Sequence, residues 1–320
     1  MTGESLALRQ STEPATEPAQ ESRLGRLLAD HGPAYLFLSP WLVGFFGLTL
    51  GPALASLYLS FTDFDLLDPP RWVGLHNYLR MLTSDVRFWH SVSVTLTYVV
   101  LAVPIKLCFA LAVAVAMDKG IRALSFYRAL FYLPSLLGAS VTVAVLWRRL
   151  FVNDGVVNHV LAWLGVPAIS WISDPHTSLY VLVTLSVWQF GSPMIIFLAG
   201  LRQIPREVYD AADVDGAGKV QQFARITLPL LGPVIFFNLV LQMIDAFKAF
   251  TQAFIISDGT GRPVDSLLFY TLYMYEQAFT TYHMGYASAL AWVLVIAISA
   301  ATALAFWSSR YWVYYDDDAR

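Results

Sequence analysis

Three long stretches of the chain contain no Asp, Glu, Lys or Arg, and they constrain the fold more than any other feature. They run from Ala34 to Thr62, from Pro175 to Leu201 and from Gln277 to Ser309, which is 29, 27 and 33 residues. A bilayer core about 30 Å thick is spanned by about 20 helical residues, so each stretch is long enough to cross it. Charged residues make up 13% of the chain, against about 25% in soluble globular proteins. The sequence therefore predicts an all-α membrane protein with several spans.

Hydrophobic segments predict six transmembrane helices, and the basic residues predict their orientation. The predicted spans are about 34–62, 91–117, 127–150, 177–201, 228–256 and 285–309. An even number of spans places both termini on the same side of the membrane. If the N-terminus is inside, twelve Lys and Arg residues fall in cytoplasmic segments and six in outer segments. Because basic residues are enriched in cytoplasmic loops, this ratio predicts that both termini are cytoplasmic.

The segments outside the spans differ in composition and length. Residues 1–33 are rich in Glu, Thr, Ser and Pro, which predicts a cytoplasmic tail that is largely disordered. Residues 34–315 form the predicted six-span domain. The longest predicted cytoplasmic connection is 202–227, between the fourth and fifth spans. The predicted outer segment 151–176 carries an apolar stripe between turn residues, which indicates a helix near the outer interface.

The long cytoplasmic loop contains YDAADVDGAGKVQQF at 209–223, and its GAGK looks like part of a phosphate-binding loop. That motif requires a Gly five residues before its second Gly, and a Ser or Thr after the Lys. Asp213 and Val220 stand at those two positions, and a carboxylate would repel phosphate groups. The sequence therefore predicts that this loop binds no nucleotide.

Local patterns in the same loop predict a short helix, a turn and a second helix. Pro205 suits the first turn of a helix, and Glu207 interacts favourably with the helix dipole at that end. Ala211 and Ala212 are small, so this helix can enter a tight groove on another surface. Gly216 then permits a turn. The pattern suits docking on a partner, although the spacing alone also allows an ordinary surface loop.

The loop resembles the EAA loop of permease subunits in ABC-type importers. That pattern runs Glu-Ala-Ala, three residues, Gly, nine residues, Ile, any residue and Leu-Pro. The first acidic residue is Asp here, which keeps the carboxylate but shortens its side chain by one methylene. The triplet Asp-Gly-Ala at 215–217 is also common in the family. All spacings are met by Asp210, Ala211, Ala212, Gly216, Ile226, Leu228 and Pro229.

The resemblance covers about 33–315 and points to the carbohydrate-uptake branch, the maltose, lactose and glycerol-phosphate type. SPWLVGFFGLTLGP in the first span and YHMGYASALAW at 282–292 are similar to that branch. It implies a cell-membrane subunit, surrounded by lipid, that moves a sugar or related solute inward. The implied partners are a second permease, two ATP-binding cassette subunits and an extracytoplasmic solute-binding protein. The implied coupling residues are Asp210, Ala211, Ala212, Asp215, Gly216 and Ala217.

The same resemblance places ATP and Mg on the cassette subunits. This chain would then have no cofactor and no catalytic residue, would not be an enzyme, and would bind no nucleic acid. The six His residues never adopt a metal-ligand spacing, and the single Cys108 cannot form an internal disulfide. No metal site is therefore predicted.

Polar residues within the predicted spans are candidates for the substrate pathway, because an intramembrane charge is costly and usually functional. Asp245 and Lys248 stand three residues apart and can neutralise each other, so a purely structural ion pair stays open. Packing or an interfacial position is the alternative for Trp188. Lys106 is expected to pair with an acidic neighbour or a carbonyl and receives no role. The pathway candidates are Trp188, Gln189, Ser192, Gln242, Asp245, Lys248 and Gln252.

Two other functions fit parts of the sequence. An ion-coupled secondary transporter could use Asp245 and Lys248 as its coupling pair, but such carriers usually have internal repeats and more spans. They also have no need of a docking loop. An intramembrane enzyme would require paired His, Asp or Glu at one depth, and the predicted spans contain no such set.

Overall fold

The structure is a computed structural model that describes residues 36–118, 124–138 and 140–313. The predicted tail at 1–33 and both edges of the predicted six-span domain lie outside the described residues. The contacts within the chain divide it into two compact units, Met1–Ala55 and Ser56–Arg320. The candidate coupling and pathway residues all belong to the second unit.

The described residues are mainly helical and contain almost no strand, which confirms the all-α prediction. Short π-helical stretches occur at Phe45–Leu50, Phe223–Thr227 and Glu276–Thr280. The two short strands are β1 (Thr62–Asp63) and β2 (Arg71–Trp72), which pair antiparallel. In chain order the helices are α1 (Leu36–Leu59), α2 (His76–Thr83), α3 (Val86–Asp118), α4 (Leu124–Leu137), α5 (Val141–Phe151), α6 (Val156–Trp163), α7 (Ser178–Trp188), α8 (Gly191–Leu201), α9 (Arg206–Val214), α10 (Lys219–Leu230), α11 (Gly232–Phe247), α12 (Thr251–Ile256), α13 (Tyr270–Tyr275) and α14 (Met284–Ser309).

Three of these helices, α1, α3 and α14, are long and apolar enough to cross a bilayer alone. The other three predicted spans are interrupted. The pairs α4–α5, α7–α8 and α10–α11 each bend at a short break, by 43° in α7–α8 and by 66° in α10–α11. The described residues therefore provide up to six crossings if each bent pair is one span.

The break between α7 and α8 follows from Pro193. A proline inside a helix lacks an N–H, and its ring clashes with the carbonyl four residues earlier, which here belongs to Gln189. That carbonyl accepts a hydrogen bond from the Ser135 hydroxyl of α4 instead, at 2.9 Å. The same hydroxyl oxygen accepts from the Ser192 N–H, also at 2.9 Å. One serine therefore satisfies two backbone groups at the break.

The other two breaks also have local causes. Pro229 and Pro233 flank Leu231, and the ring of Pro233 opposes helical continuation through the carbonyl of Pro229. Between α4 and α5, the helix restarts at Ser140, whose hydroxyl accepts from the Val143 N–H at 3.3 Å and caps α5.

Helix α3 is the centre of the second unit, and it packs against α7, α8, α11 and α13. Its buried face includes Ala102, Ala110 and Ala114, which are fully buried. Small residues allow helix backbones to approach closely, which matters in a membrane protein because lipid provides little hydrophobic drive for association. The alanine positions therefore explain how four helices fit around one.

At the start of α3, on the predicted outer side, polar contacts tie the helix to distant segments. Arg87 donates to Asp265 at 2.9 Å and to Glu276 at 2.6 Å. Asp85 accepts hydrogen bonds from the hydroxyls of Tyr273 and Tyr286, each at 2.5 Å. Burial disfavours the ionised form of Asp85, but hydrogen bonds from Tyr273, Tyr286 and the Phe88 N–H, with the charge of Arg80, together hold its pKa below the usual value.

Candidate functional site

The predicted coupling loop contains a short helix, α9, that begins where the sequence indicates. Pro205 lies immediately before the first helical residue, with φ −60° and ψ 139°, so it precedes the first turn rather than occupying it. Its extended conformation is the usual one at a helix N-cap. Glu207 lies in the first turn, where its negative charge interacts favourably with the helix dipole.

The end of α9 is closed by backbone hydrogen bonds around Gly216. The Ala217 N–H donates to the Ala212 carbonyl at 2.9 Å, and the Gly216 N–H donates to the Asp213 carbonyl at 3.1 Å. These two bonds define a Schellman motif, which needs a left-handed residue between helix and turn. Gly216 has φ +77°, which explains why glycine stands at this motif position. Asp215, an exposed C-cap residue, precedes it.

The turn after α9 is held by side chains of the chain itself. The Lys219 ammonium lies 3.1 Å from the Asp213 carboxylate. The buried amide of Gln222 donates to the same carboxylate at 2.5 Å and to the Ala217 carbonyl at 3.0 Å. The hydrogen bond from Gln222, and then that from Lys219, hold the pKa of Asp213 below its usual value. The lysine of GAGK therefore pairs within the loop.

The two faces of α9 have different environments. Ala212 is buried against its own chain, and the Tyr209 hydroxyl lies 2.9 Å from the Thr227 hydroxyl, which ties α9 to α10. Of the two alanines, only Ala211 is therefore available to a partner. Val214 is 88% exposed, so its apolar side chain is open to a partner. The exposed face carries Asp210, Ala211 and Val214.

A polar cavity of about 380 Å³ lies among α3, α7, α11 and α12. Five of the seven predicted pathway residues line it. Four of them come from one predicted span, but α11 ends at Phe247 and leaves Lys248 in the break before α12. Interrupted helices expose backbone carbonyls, which is typical of substrate sites in transporters. The five residues are Gln189, Gln242, Asp245, Lys248 and Gln252.

Two predicted pathway residues do not line this cavity. The Trp188 ring packs against the Trp147 ring, with 5.5 Å between centroids, in agreement with the packing alternative. Ser192 donates its backbone N–H to Ser135 at the α7–α8 break. Each of these two side chains is half-buried.

The cavity is lined by one more charged side chain than the sequence predicts. Lys248 and Asp245 form the predicted ion pair, with 3.7 Å between nitrogen and oxygen, and both side chains are more than half exposed. Lys106 of α3 lines the same cavity, although sequence reasoning gives it no role. Its presence inside a predicted span was the available signal, because such a charge marks a functional site by default.

Two glutamines of the cavity converge on one backbone carbonyl. Gln189 and Gln252 each donate an amide hydrogen to the Gly138 carbonyl, at 3.2 Å and 3.1 Å. A Cβ on Gly138 would lie 2.2 Å from the Gln189 side chain, so glycine is needed for this approach. The α4–α5 break is therefore connected directly to the cavity wall.

Comparison with known proteins identifies the family. Residues 81–313 match the model of the binding-protein-dependent transport system inner membrane component. The chain belongs to this family. The prediction of an importer permease is confirmed, and nothing supports the ion-coupled alternative. How the coupling and pathway residues act stays a prediction.

The permease is similar to several proteins along most of its length. It is 50% identical to the probable ABC transporter permease YesP of Bacillus subtilis strain 168, covering 90% of this chain and 93% of YesP. It is 31% identical to the probable starch degradation products transport permease AmyD of Thermoanaerobacterium thermosulfurigenes, covering 82% and 90%. It is 30% identical to the lactose transport permease LacF of Rhizobium radiobacter, covering 86% and 93%.

The fold also matches a solved structure. A chain of a bacterial ABC transporter that imports the acidic polysaccharide alginate superimposes with a TM-score of 0.77. The match covers 90% of the permease and 99% of that chain, at 21% identity. At this identity, the likeness establishes a shared fold.

Proposed function

We propose that the permease is the membrane-spanning subunit of an ATP-driven importer that moves a sugar or related solute inward. The observation that carries this proposal is the coupling helix α9. Its buried face is fastened to α10, while Asp210, Ala211 and Val214 stand exposed on the other face. A small exposed apolar surface with one carboxylate suits a groove on a partner protein.

The same geometry offers a mechanical route from this partner to the cavity. Two contacts fasten α9 to α10, one between Asp213 and Gln222 and the other between Tyr209 and Thr227. Helix α10 leads through the proline break into α11, which rises about 24 Å over its sixteen residues to the cavity. Movement of a partner at α9 would therefore reach the Asp245 end of α11 through two consecutive helices of the chain.

The proposed solute class rests on the relatives and on the chemistry of the cavity. Relatives of this permease are named for lactose and for starch degradation products, which are carbohydrates. Amide groups such as those of Gln189, Gln242 and Gln252 both donate and accept, which suits sugar hydroxyls. Phe250 adds an aromatic ring that can pack on the CH face of a sugar.

The proposed complex contains a second permease subunit, two ATP-binding cassette subunits and an extracytoplasmic solute-binding protein. We place it in the cell membrane with several passes of this chain, both termini cytoplasmic. ATP and Mg bind the cassette subunits in this proposal, and this chain hydrolyses nothing. Support comes from the solved relative of the same fold, which forms a complex with a ligand-bound periplasmic protein.

The test is purification of the complex from the source cells through an affinity tag on this chain. We expect an ATPase subunit to co-purify, and its activity to rise with a ligand-loaded binding protein. Ala211→Arg should abolish this co-purification because the long cation cannot enter a groove that fits alanine. Ala162→Arg, at an exposed position of α6, is the matched control and should leave the complex intact. Purification without any ATPase would disprove the proposal.

A further inference from the structure

The polar cavity contains one more positive than negative side chain. Its charged lining residues are Lys106, Lys248 and Asp245. Asp245 lies 3.7 Å from Lys248 and also acts on Lys106 across the cavity, so one carboxylate serves two ammonium groups. Within residues 36–118, 124–138 and 140–313, no carboxylate oxygen lies within 4 Å of the Lys106 ammonium. The cavity therefore presents one ammonium without a contacting anion.

The position of Lys106 makes this charge costly. It lies twelve residues before the end of α3 at Asp118, which is about 18 Å along the helix axis. A cation at such depth in a membrane protein normally faces a water-filled cavity and pairs with another group. Lys106 faces the cavity, and a bound anion would supply the missing pair.

The surroundings of Lys106 suit a sugar rather than a bare ion. The cavity also exposes neutral polar groups of Ser186, Gln189 and Thr251. On its other side, Phe250 and Lys248 also line a second, largely apolar cavity of about 450 Å³. There Phe250 packs with Tyr275 at 5.2 Å between ring centroids. The cavity thus combines side chains that can bind sugar hydroxyls, the aromatic ring of Phe250 and the ammonium of Lys106.

Building on the proposed function, we propose that the solute is an anionic carbohydrate whose negatively charged oxygen group binds Lys106. Its hydroxyls meet the glutamine, serine and threonine side chains, and one ring packs on Phe250. A sugar carboxylate and a sugar phosphate provide the same anionic oxygens, and the experiment separates them. The competing explanation is that a carboxylate of the second permease subunit pairs with Lys106.

The experiment measures ligand binding to the intact complex in nanodiscs by saturation-transfer NMR, with no binding protein added. The probes are a galacturonic acid disaccharide, the galactose disaccharide with the same linkage, and glucose 1-phosphate. For an anionic probe, Lys106→Gln should weaken binding by about 10- to 100-fold, the loss of one charge-assisted hydrogen bond. The neutral disaccharide should bind as before. Preference for the galacturonate or for the phosphate identifies the anion.

Three further variants fix the interpretation. Lys106→Arg keeps the charge and should retain most of the anionic preference. Asp245→Asn removes the negative charge of the cavity, so the ratio of anionic to neutral affinity should rise. Arg310→Gln removes an exposed cation at the end of α14 and should change neither affinity.

Either of two results would overturn the inference. Lys106→Gln could leave binding of both anionic probes unchanged. It could instead weaken all three probes equally or break up the complex, as loss of an ion pair to the second permease would do. Both results leave the proposed function intact, because co-purification of the ATPase tests that separately.

Discussion

The coupling loop and the polar cavity are built in opposite ways. The loop is held by contacts between neighbours in sequence, since Asp213 binds residues only six and nine positions away. The cavity is held by contacts across the chain. Gln189 and Gln252 reach the Gly138 carbonyl over 51 and 114 positions. The loop therefore folds as a local unit, and the cavity forms only when the helices pack.

This difference suits the two proposed tasks, which are coupling to a partner and passage of a solute. A loop that keeps its shape through its own hydrogen bonds can transmit the movement of a partner without melting. A cavity made from the ends of broken helices can change shape when those helices shift, because each end belongs to a different element. Mutations should accordingly act locally in the loop and globally around the cavity.

The largest effect is expected for Gly191→Ala, next to the cavity. The new Cβ would lie 2.3 Å from the Phe131 carbonyl oxygen and 2.7 Å from the Tyr132 Cα, both backbone atoms that cannot turn aside. Overpacking of this kind costs about 1–3 kcal/mol or more, so the free energy of unfolding should fall by that amount. Denaturant unfolding of the purified chain measures it, with Gly218→Ala as control. Unchanged stability would show that α4 and α8 do not approach so closely.

Gly216→Ala should have the next largest effect, confined to the loop. Alanine at φ +77° costs about 1–2 kcal/mol because its Cβ meets the backbone in a left-handed conformation. Gly218 has φ −65° and open space around it, so Gly218→Ala is the matched control. Hydrogen–deuterium exchange of α9 should accelerate for the first variant only, because the strain favours local opening of the loop. Equal exchange rates in the two variants would show that α9 does not end in a Schellman motif at Gly216.

Gln189→Ala and Gln252→Ala should each destabilise the protein by about 1 kcal/mol, the usual net value of one hydrogen bond. The two amides share the Gly138 carbonyl as acceptor, so their effects should not add. A double-mutant cycle in unfolding free energy measures the coupling. Strict additivity would mean that the two side chains act independently and that the convergence does not stabilise the α4–α5 break.

The smallest effect concerns pH and belongs to the loop. Asp213 has a lowered pKa in the folded loop, so its contribution is complete above the ordinary pKa of 3.8 and is lost as pH falls through the lower folded value. Gln222→Leu removes the main hydrogen bond and should move the Asp213 pKa upward. Carbon-13 NMR of labelled aspartate follows this titration, and Asp210→Asn helps to assign the signal. An unchanged Asp213 pKa in the Gln222→Leu variant would show that the hydrogen bond from Gln222 does not hold the turn after α9.

The sequence predicted the loop more completely than the cavity. The start of α9 and the turn at Gly216 follow from short-range spacing and from the EAA resemblance, and docking through the exposed Ala211 stays a prediction. The burial of Ala212 could not be predicted from the sequence, because it depends on how α9 lies against α10. Five of the seven pathway candidates, predicted from their polarity, line the cavity, but Trp188 packs elsewhere.

By itself, the sequence determined that this is an all-α membrane protein of the importer permease type, and it located the loop between the fourth and fifth spans. Uncharged stretches are enough to predict the spans, and local spacing is enough to locate the loop, because both signals lie in consecutive residues. Only the tertiary structure decided that Lys106 faces the same cavity as Asp245 and that two glutamines meet at Gly138. These residues lie far apart in the chain, and packing around α3 brings them together.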